Sequence, residues 1–336
     1  MHPTFTRCRR FLSVLAIATL CLANQARAQT DAKPRNPASR EGTRTYVRPP
    51  DLENVSYGPH PRNVLDLWKA NSEKPTPLVV YFHPGGFTLG DKRGENTGLP
   101  QVLLNICLAR GISVATANYR YSWQAPFPAQ LEDGARFIQF LRHHAKEWNL
   151  HPAAIATTGA SAGADISMWL GFKDDMADPA SPDPILHEST RVPVIGALDG
   201  QSSLDPLFIQ NLVGEEVIRQ AGREALAPLF GLPRDEDFIH AERAFPLYEA
   251  ASAINFVKAG VAPAFLFYSH PPGPLPPATK AEGIHNYRFG VALKERMDKA
   301  GVECVLHHSG EYPQQNRPAQ MNGEMVEFFL KHFPKG

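Results

Sequence analysis

Five apolar residues in a row, Leu78 to Phe82, are followed at once by the glycine loop His83-Pro84-Gly85-Gly86-Phe87. A run of that length is too short for a helix and predicts a strand buried on both faces. Thr97 to Arg110 has helical character and stops at Gly111, and Ile112 to Ala117 returns to a strand pattern. Leu131 to Lys146 places apolar residues at 131, 135, 137, 138, 141 and 145, the spacing of one helix face. Ile155 to Thr158 then predicts a short strand and Ala162 to Phe172 a helix. Further on, Val192 to Leu198, Ala264 to Tyr268 and Val302 to His307 read as strands, with helices over Tyr287 to Ala300 and Gly323 to His332. Alternating strands and helices predict an α/β fold, a mostly parallel central sheet with helices on both faces. In such a sheet, chemistry collects in the loops at the carboxyl ends of the strands.

The first residues follow another logic. Arg7, Arg9 and Arg10 precede an apolar run from Phe11 to Ala23, and Ala26-Arg27-Ala28 has the small-x-small form of a cleavage site. Residues 1–28 are therefore expected to be a signal peptide, the apolar run being shorter than the ~20 residues a membrane span needs. Export to the periplasm or the exterior follows, with no membrane span in the mature chain. Residues 29–50 are polar and proline-bearing and predict a linker, and 51–336 the domain itself. Two stretches interrupt the alternation, near 174–193 and over 202–255, and are expected to form a small cap that selects substrate. Past residue 28 only Cys107 and Cys304 remain, both in apolar stretches, which predicts two separate buried thiols.

Charge removes one class of partner. Lys+Arg and Asp+Glu both number 34, and this balance lacks the basic excess of a nucleic-acid binder.

The candidate chemistry begins at Ala156-Thr157-Thr158-Gly159-Ala160-Ser161-Ala162-Gly163-Ala164-Asp165. Glycine–serine turns are common, so the G-x-S-x-G spacing alone says little. Between a strand and a helix it is different: small neighbours allow a sharp turn that lifts the Ser161 hydroxyl clear of the sheet, over a helix N-terminus. The loop HPGGF resembles the H-G-G-G oxyanion loop of esterases and lipases, with Pro84 in place of the first glycine. Proline has no N–H to donate. The resemblance assigns the donors to Gly85, Gly86 and Ala162, so Pro84 leaves them intact, and it gives His83 the task of bracing the loop.

Three linked blocks, HPGGFTLGDKR, NYRYSWQAPFPAQLEDGARFIQFLR and EWNLHPAAIATTGASAGADIS, are similar to the α/β-hydrolase superfamily in its secreted, carboxylesterase-like esterase/lipase branch. The likeness in element order runs from about Asn54 to Phe333. It implies a serine hydrolase acting on carboxylic esters through a Ser–His–acid triad, with no metal and no organic cofactor. The substrates it implies are small-molecule or carbohydrate-linked esters, such as acetyl or feruloyl decorations of polysaccharides.

Two places depart from the family pattern. The acid expected after AFLFY is missing from SHPPGPLPPATKAEGIHNYRFG, and Ser309-Gly310-Glu311-Tyr312-Pro313 lacks the expected histidine. A serine without a base is a poor nucleophile. His285 is the preferred base, because an extended proline-rich loop can cross the sheet edge and deliver Gly283-Ile284-His285 over Ser161. His308 is second, with His270, His307, His187, His240 and His332 behind it. Asp199, Asp205, Glu282 and Glu311 remain open as the acid, since a triad is recognised by geometry rather than by chain order. A peptidase is disfavoured for want of a second domain. The competing reading is a non-catalytic binding protein on a degenerate hydrolase scaffold.

Overall fold

The computed structural model describes residues 42–233 and 237–335. The expected signal peptide and most of the expected linker lie outside the described residues. The last part of that linker does not behave as one. Tyr46 is buried, sets its ring edge-on to Trp68 at 4.9 Å and donates its hydroxyl to Leu99 O at 3.0 Å. The segment has no periodicity to reveal this; besides Tyr46 it is held by Arg44 N on Arg93 O at 2.7 Å and by the Trp68 indole N–H on Arg48 O at 2.9 Å.

Eight strands form one sheet: β1 (Leu52–Ser56), β2 (Val64–Trp68), β3 (Thr76–Phe82), β4 (Ser113–Ala117), β5 (Leu150–Gly159), β6 (Ile195–Leu198), β7 (Ala264–Tyr268) and β8 (Cys304–His308). Their order is β1-β2-β4-β3-β5-β6-β7-β8. The pairs from β4 to β8 are parallel, and β1 and β2 add antiparallel at one edge. The parallel part matches the alternation in the sequence. The edge pair was missed because VLDLW and LENVS are too short and too mixed in polarity to stand out.

Both faces of the sheet are covered, and side chains alternate between them as a strand's period of two requires. Leu78, Val80 and Phe82 of β3 enter one core, while Val79 and Tyr81 enter the other. Strand β7 divides likewise, with Ala264, Leu266 and Tyr268 on one side and Phe265 and Phe267 on the other. Helix α1 (Gln101–Ala109) packs in the second layer, α2 (Ala129–His143) in the first, and α3 (Ala145–Trp148) adds a short turn after α2. Helix α1 starts four residues later than its pattern predicts, because the residue before Pro100 is turned away from helix.

Helix α4 (Ala162–Phe172) leaves Ser161 and is buried along its length. In the expected cap, α5 (Pro206–Val213) and α6 (Glu215–Leu229) form, followed by α7 (Phe245–Ala251). Then come α8 (Lys280–Ile284), α9 (Tyr287–Lys299) and α10 (Arg317–His332), the last in the second layer beside α1. Residues 174–193 lie elsewhere than expected. They run along α2, held by Arg136 Nη1 to Asp183 Oδ2 at 2.6 Å and by Gln139 Nε2 to Glu188 O at 2.9 Å. Cys107 and Cys304 are both free and buried. Among the described residues no helix is long and apolar enough to cross a membrane.

Chain order reverses across β3: β4 lies on one side of it and β5 on the other. The carboxyl ends of β3 and β5 therefore open a crevice, where α/β sheets place their ligands.

Candidate active site

The crevice brings the two sequence motifs together. The loop after β3 carries Gly85 and Gly86, and the turn after β5 carries Ser161. Their approach depends on the glycines of the serine motif. A Cβ at Gly163 would stand 2.1 Å from Phe82 O, and one at Gly159 would stand 2.5 Å from the same atom. Any larger residue would push the elbow away from the end of β3. Ser161 itself has φ 50° and ψ −121°, a conformation rare for a residue with a side chain. Its N–H donates to Leu198 O at 2.8 Å, which stitches the turn to the end of β6.

The remaining sequence blocks brace the loop. Asn118 Oδ1 accepts from Lys92 N at 2.7 Å and its amide donates to Asp91 Oδ2 at 2.6 Å. Tyr119 donates to His83 O at 2.7 Å, and Arg120 forks onto Asp133 with Nε 2.9 Å from Oδ2 and Nη2 2.8 Å from Oδ1. His83 is fully buried and stacks on Tyr119 with centroids 4.2 Å apart. Burial, with the Arg62 guanidinium beside it, pushes its pKa down to about 3. The ring is therefore neutral, its Nδ1–H donating to Pro84 O at 2.8 Å. That is a brace, as the resemblance assigns. Among the described residues the N–H groups of Gly85, Gly86 and Ala162 have no protein acceptor.

His285 Nε2 stands 3.1 Å from Ser161 Oγ. The proline-rich loop after β7 leads into α8, and His285 caps its C-terminus with its N–H on Ala281 O at 3.0 Å. His308, the second candidate, is engaged elsewhere: its Nδ1 accepts from Gly310 N at 3.2 Å, and its Nε2 lies 3.2 Å from Glu311 Oε1. Burial lowers the pKa of His285, the Asp199 carboxylate opposes that shift and His270 adds to it.

Each of the four open acids has hydrogen-bond partners of its own. Asp205 caps α5, with Oδ1 2.8 Å from Leu207 N; Glu282 accepts from Ala278 N at 3.0 Å; Glu311 pairs with His307 and His308. Asp199, directly after β6, is the carboxylate that acts on His285 by charge. Ser269 holds it, donating its N–H to Oδ1 at 2.7 Å and its hydroxyl to Oδ2 at 2.5 Å. Ser269 follows β7, the place where the family pattern has its own acid.

Sequence reasoning did not find Gln201. Its backbone N–H donates to Asp165 Oδ1 at 2.8 Å, and its side-chain amide donates to Ile284 O, next to the base. Asp165 is buried and its pKa is raised well above the carboxylate range. A lone glutamine in a loop gives no signal in a single sequence.

A cavity of about 210 Å³ opens at Ser161, lined by Leu204, Ile209, Val217, Ile218, Leu226 and Phe289 among others. Gly86 and Gln201 also border it, and no residue of 174–193 does. Among the described residues no three His, Cys, Asp or Glu side chains gather as a metal site would require.

Known proteins share this arrangement of sequence and fold. A family profile described as BD-FAE matches residues 65–272, well over half of the chain. A probable isoprenylcysteine alpha-carbonyl methylesterase of Arabidopsis thaliana is 28% identical over 53% of this chain and 39% of its own. The esterase LipQ of Mycobacterium tuberculosis is 25% identical over 82% of this chain and 61% of its own. The chain thus spans less than two thirds of either curated relative. In fold, an acetyl ester-xyloside bifunctional hydrolase from Caldicellulosiruptor lactoaceticus superposes with a TM-score of 0.60 at 22% identity, covering 81% of this chain and 89% of its own. By the span of the profile match and the order of its elements, the chain belongs to the BD-FAE family of α/β-hydrolase-like esterases and lipases.

Proposed function

We propose that this protein is an exported serine hydrolase that cleaves carboxylic esters carrying short acyl or small aryl groups, including esters linked to carbohydrate. The observation that carries the reading is the 3.1 Å contact between Ser161 Oγ and His285 Nε2 at the mouth of an apolar cavity. Ser161 attacks the ester carbonyl while His285 takes its proton. The N–H groups of Gly85, Gly86 and Ala162 receive the oxyanion, and preorganised donors of this kind are worth a large share of the barrier. His285 then returns the proton to the leaving alcohol. Water, deprotonated by the same imidazole, releases the acid and frees the serine. Asp199 steadies the imidazolium by charge. Export rests on the arginine-flanked apolar run and Ala26-Arg27-Ala28.

Cavity size supports the substrate range. At about 210 Å³ the space is below the ~300–1,000 Å³ of pockets that enclose a drug-sized ligand. It holds one short arm of an ester and leaves the rest outside, consistent with a sugar on the alcohol side. Assays on p-nitrophenyl esters test this directly. Acetate and butyrate are expected to exceed laurate in kcat/KM by about tenfold or more, the scale of a few methylenes denied a site. Equal rates across the series would refute the short-acyl reading, and no hydrolysis of any ester would favour a non-catalytic binding scaffold.

The acid has its own test. His285 works as a base only when neutral, so kcat/KM should rise with pH through a midpoint below 6.5, in the direction burial moves the ring. Asp199→Asn removes the charge that opposes this shift. The midpoint should fall further while the plateau rate drops by roughly 100-fold. A variant with unchanged plateau and midpoint would place the acid elsewhere.

A further inference from the structure

The base is carried by a part of the chain that the sheet does not hold. Helix α8 is only five residues long, and residues 271–276 of the loop leading into it are exposed. Thr279 Oγ1 caps it by accepting from Glu282 N at 3.2 Å, a contact internal to the segment. Fixing His285 to within a few tenths of an ångström of Ser161 therefore depends on the Gln201 amide that holds Ile284 O and on what α8 rests against. It rests against α6 of the cap. A Cβ on Gly283 would stand 2.4 Å from Val217 Cγ1 and 2.7 Å from Val217 Cγ2. The Gly283 backbone meets the Val217 side chain with no room for a methyl group. Seven residues on, two turns along the same face of α6, Glu224 forms an ion pair with Lys280 at the first position of α8. That pair is exposed and contributes little by itself. The glycine contact is buried and sets the distance.

Helix α6 also borders the substrate cavity through Val217, Ile218, Ala225 and Leu226, and Ala225 Cβ would lie 3.5 Å from a Cβ on Gly86 in the oxyanion loop. One helix thus touches the acyl site, the oxyanion loop and the support of the base.

We propose that Val217 is a positioning residue for the base: its packing on Gly283 sets where His285 stands against Ser161. The proposal rests on the reading of Ser161 and His285 as nucleophile and base. Val217 touches no reacting atom, and its effect is transmitted through α8. The cap that receives the acyl group and the cap that aligns the base are then the same element.

A double-mutant cycle on p-nitrophenyl acetate tests it, with kcat, KM and thermal unfolding measured for each protein. Gly283→Ala should push α8 off α6 and lower kcat by about 30-fold with KM changed less than about threefold, since a misplacement near 1 Å costs on that order. Val217→Ala leaves a gap behind Gly283 and should lower kcat several-fold, whereas Val217→Ile keeps both branch carbons on the glycine, so its kcat should exceed that of Val217→Ala even where the added methyl in the cavity raises KM. In Gly283→Ala/Val217→Ala the new methyl fills the gap, and kcat should return to within about threefold of the parent, a strongly non-additive result. The proposal is overturned if Gly283→Ala keeps the parent kcat, or if the double variant is no faster than Gly283→Ala. Should Gly283→Ala fail to fold, the Val217→Ala and Val217→Ile pair decides, and equal rates in those two overturn it. Ser161→Ala is assayed alongside. Hydrolysis surviving there removes the nucleophile reading and this proposal with it, whereas an inactive Ser161→Ala beside an unresponsive cycle removes this proposal alone.

Discussion

Ser161→Ala is expected to lower kcat on p-nitrophenyl acetate by about 10⁶-fold while leaving the far-ultraviolet spectrum unchanged, the scale seen when a serine hydrolase loses its nucleophile. The size follows from the shape of the site. The other hydroxyl at the cavity, Thr88 Oγ1, is tied to Gly85 O at 3.2 Å, and among the described residues no histidine is hydrogen-bonded to it. It offers no substitute. Alanine at 161 also relieves little, because the left-handed φ of 50° strains any side chain. What remains in the variant is the oxyanion loop and the cavity, which bind and polarise an ester without attacking it. A loss smaller than about tenfold would place the nucleophile elsewhere.

His285→Ala is the second large effect, with an expected fall of about 10⁴-fold or more, because serine hydroxyls at neutral pH need a base to attack. The comparison that gives this prediction its force is with the neighbouring histidines. His308→Ala and His270→Ala should each cost less than about tenfold, since neither ring has a hydrogen bond to Ser161. The His270 change has a further sign. Its charge lowers the pKa of His285, so its removal should move the acid limb of the rate profile to higher pH, opposite to Asp199→Asn. The order of the three histidines in kcat on p-nitrophenyl acetate checks the assignment.

How much of this was legible in the sequence depended on whether the signal was local. The elbow was legible because a strand, two glycines and a helix lie within some twenty residues, and each has its own pattern. The glycines turned out to be required by contact, Gly163 against Phe82 O, which is a tertiary reason for a local motif. The parallel sheet was legible for the same reason, since β3 and β7 are short unbroken apolar runs. The edge strands β1 and β2 were not, because an antiparallel edge is defined by its neighbour more than by its own composition.

The base and acid show where local reading ends. His285 is legible only by reach, and the support that delivers it, Gly283 against Val217 and Gln201 on Ile284 O, joins segments 66 and 83 residues apart in the sequence. Four carboxylates were equivalent on paper. They separate only in the folded chain: Asp205, Glu282 and Glu311 are each occupied by a cap or an ion pair, and Asp199, itself held by Ser269, is the one whose charge raises the pKa of His285. The expected two-part cap failed through one assumption, that an interruption of the alternating pattern covers the active site. Residues 174–193 follow α2 instead, held by arginine and glutamine side chains of that helix.

The measurement that bears most directly on Ser161 activated by His285 is covalent labelling with a fluorophosphonate, the modified residue being located by peptide mass spectrometry. The account predicts a single adduct on Ser161 in the parent protein, and a labelling rate lowered by about 100-fold or more in folded His285→Ala. An adduct on another residue, folded parent protein that takes no label, or His285→Ala labelled as fast as the parent would contradict it.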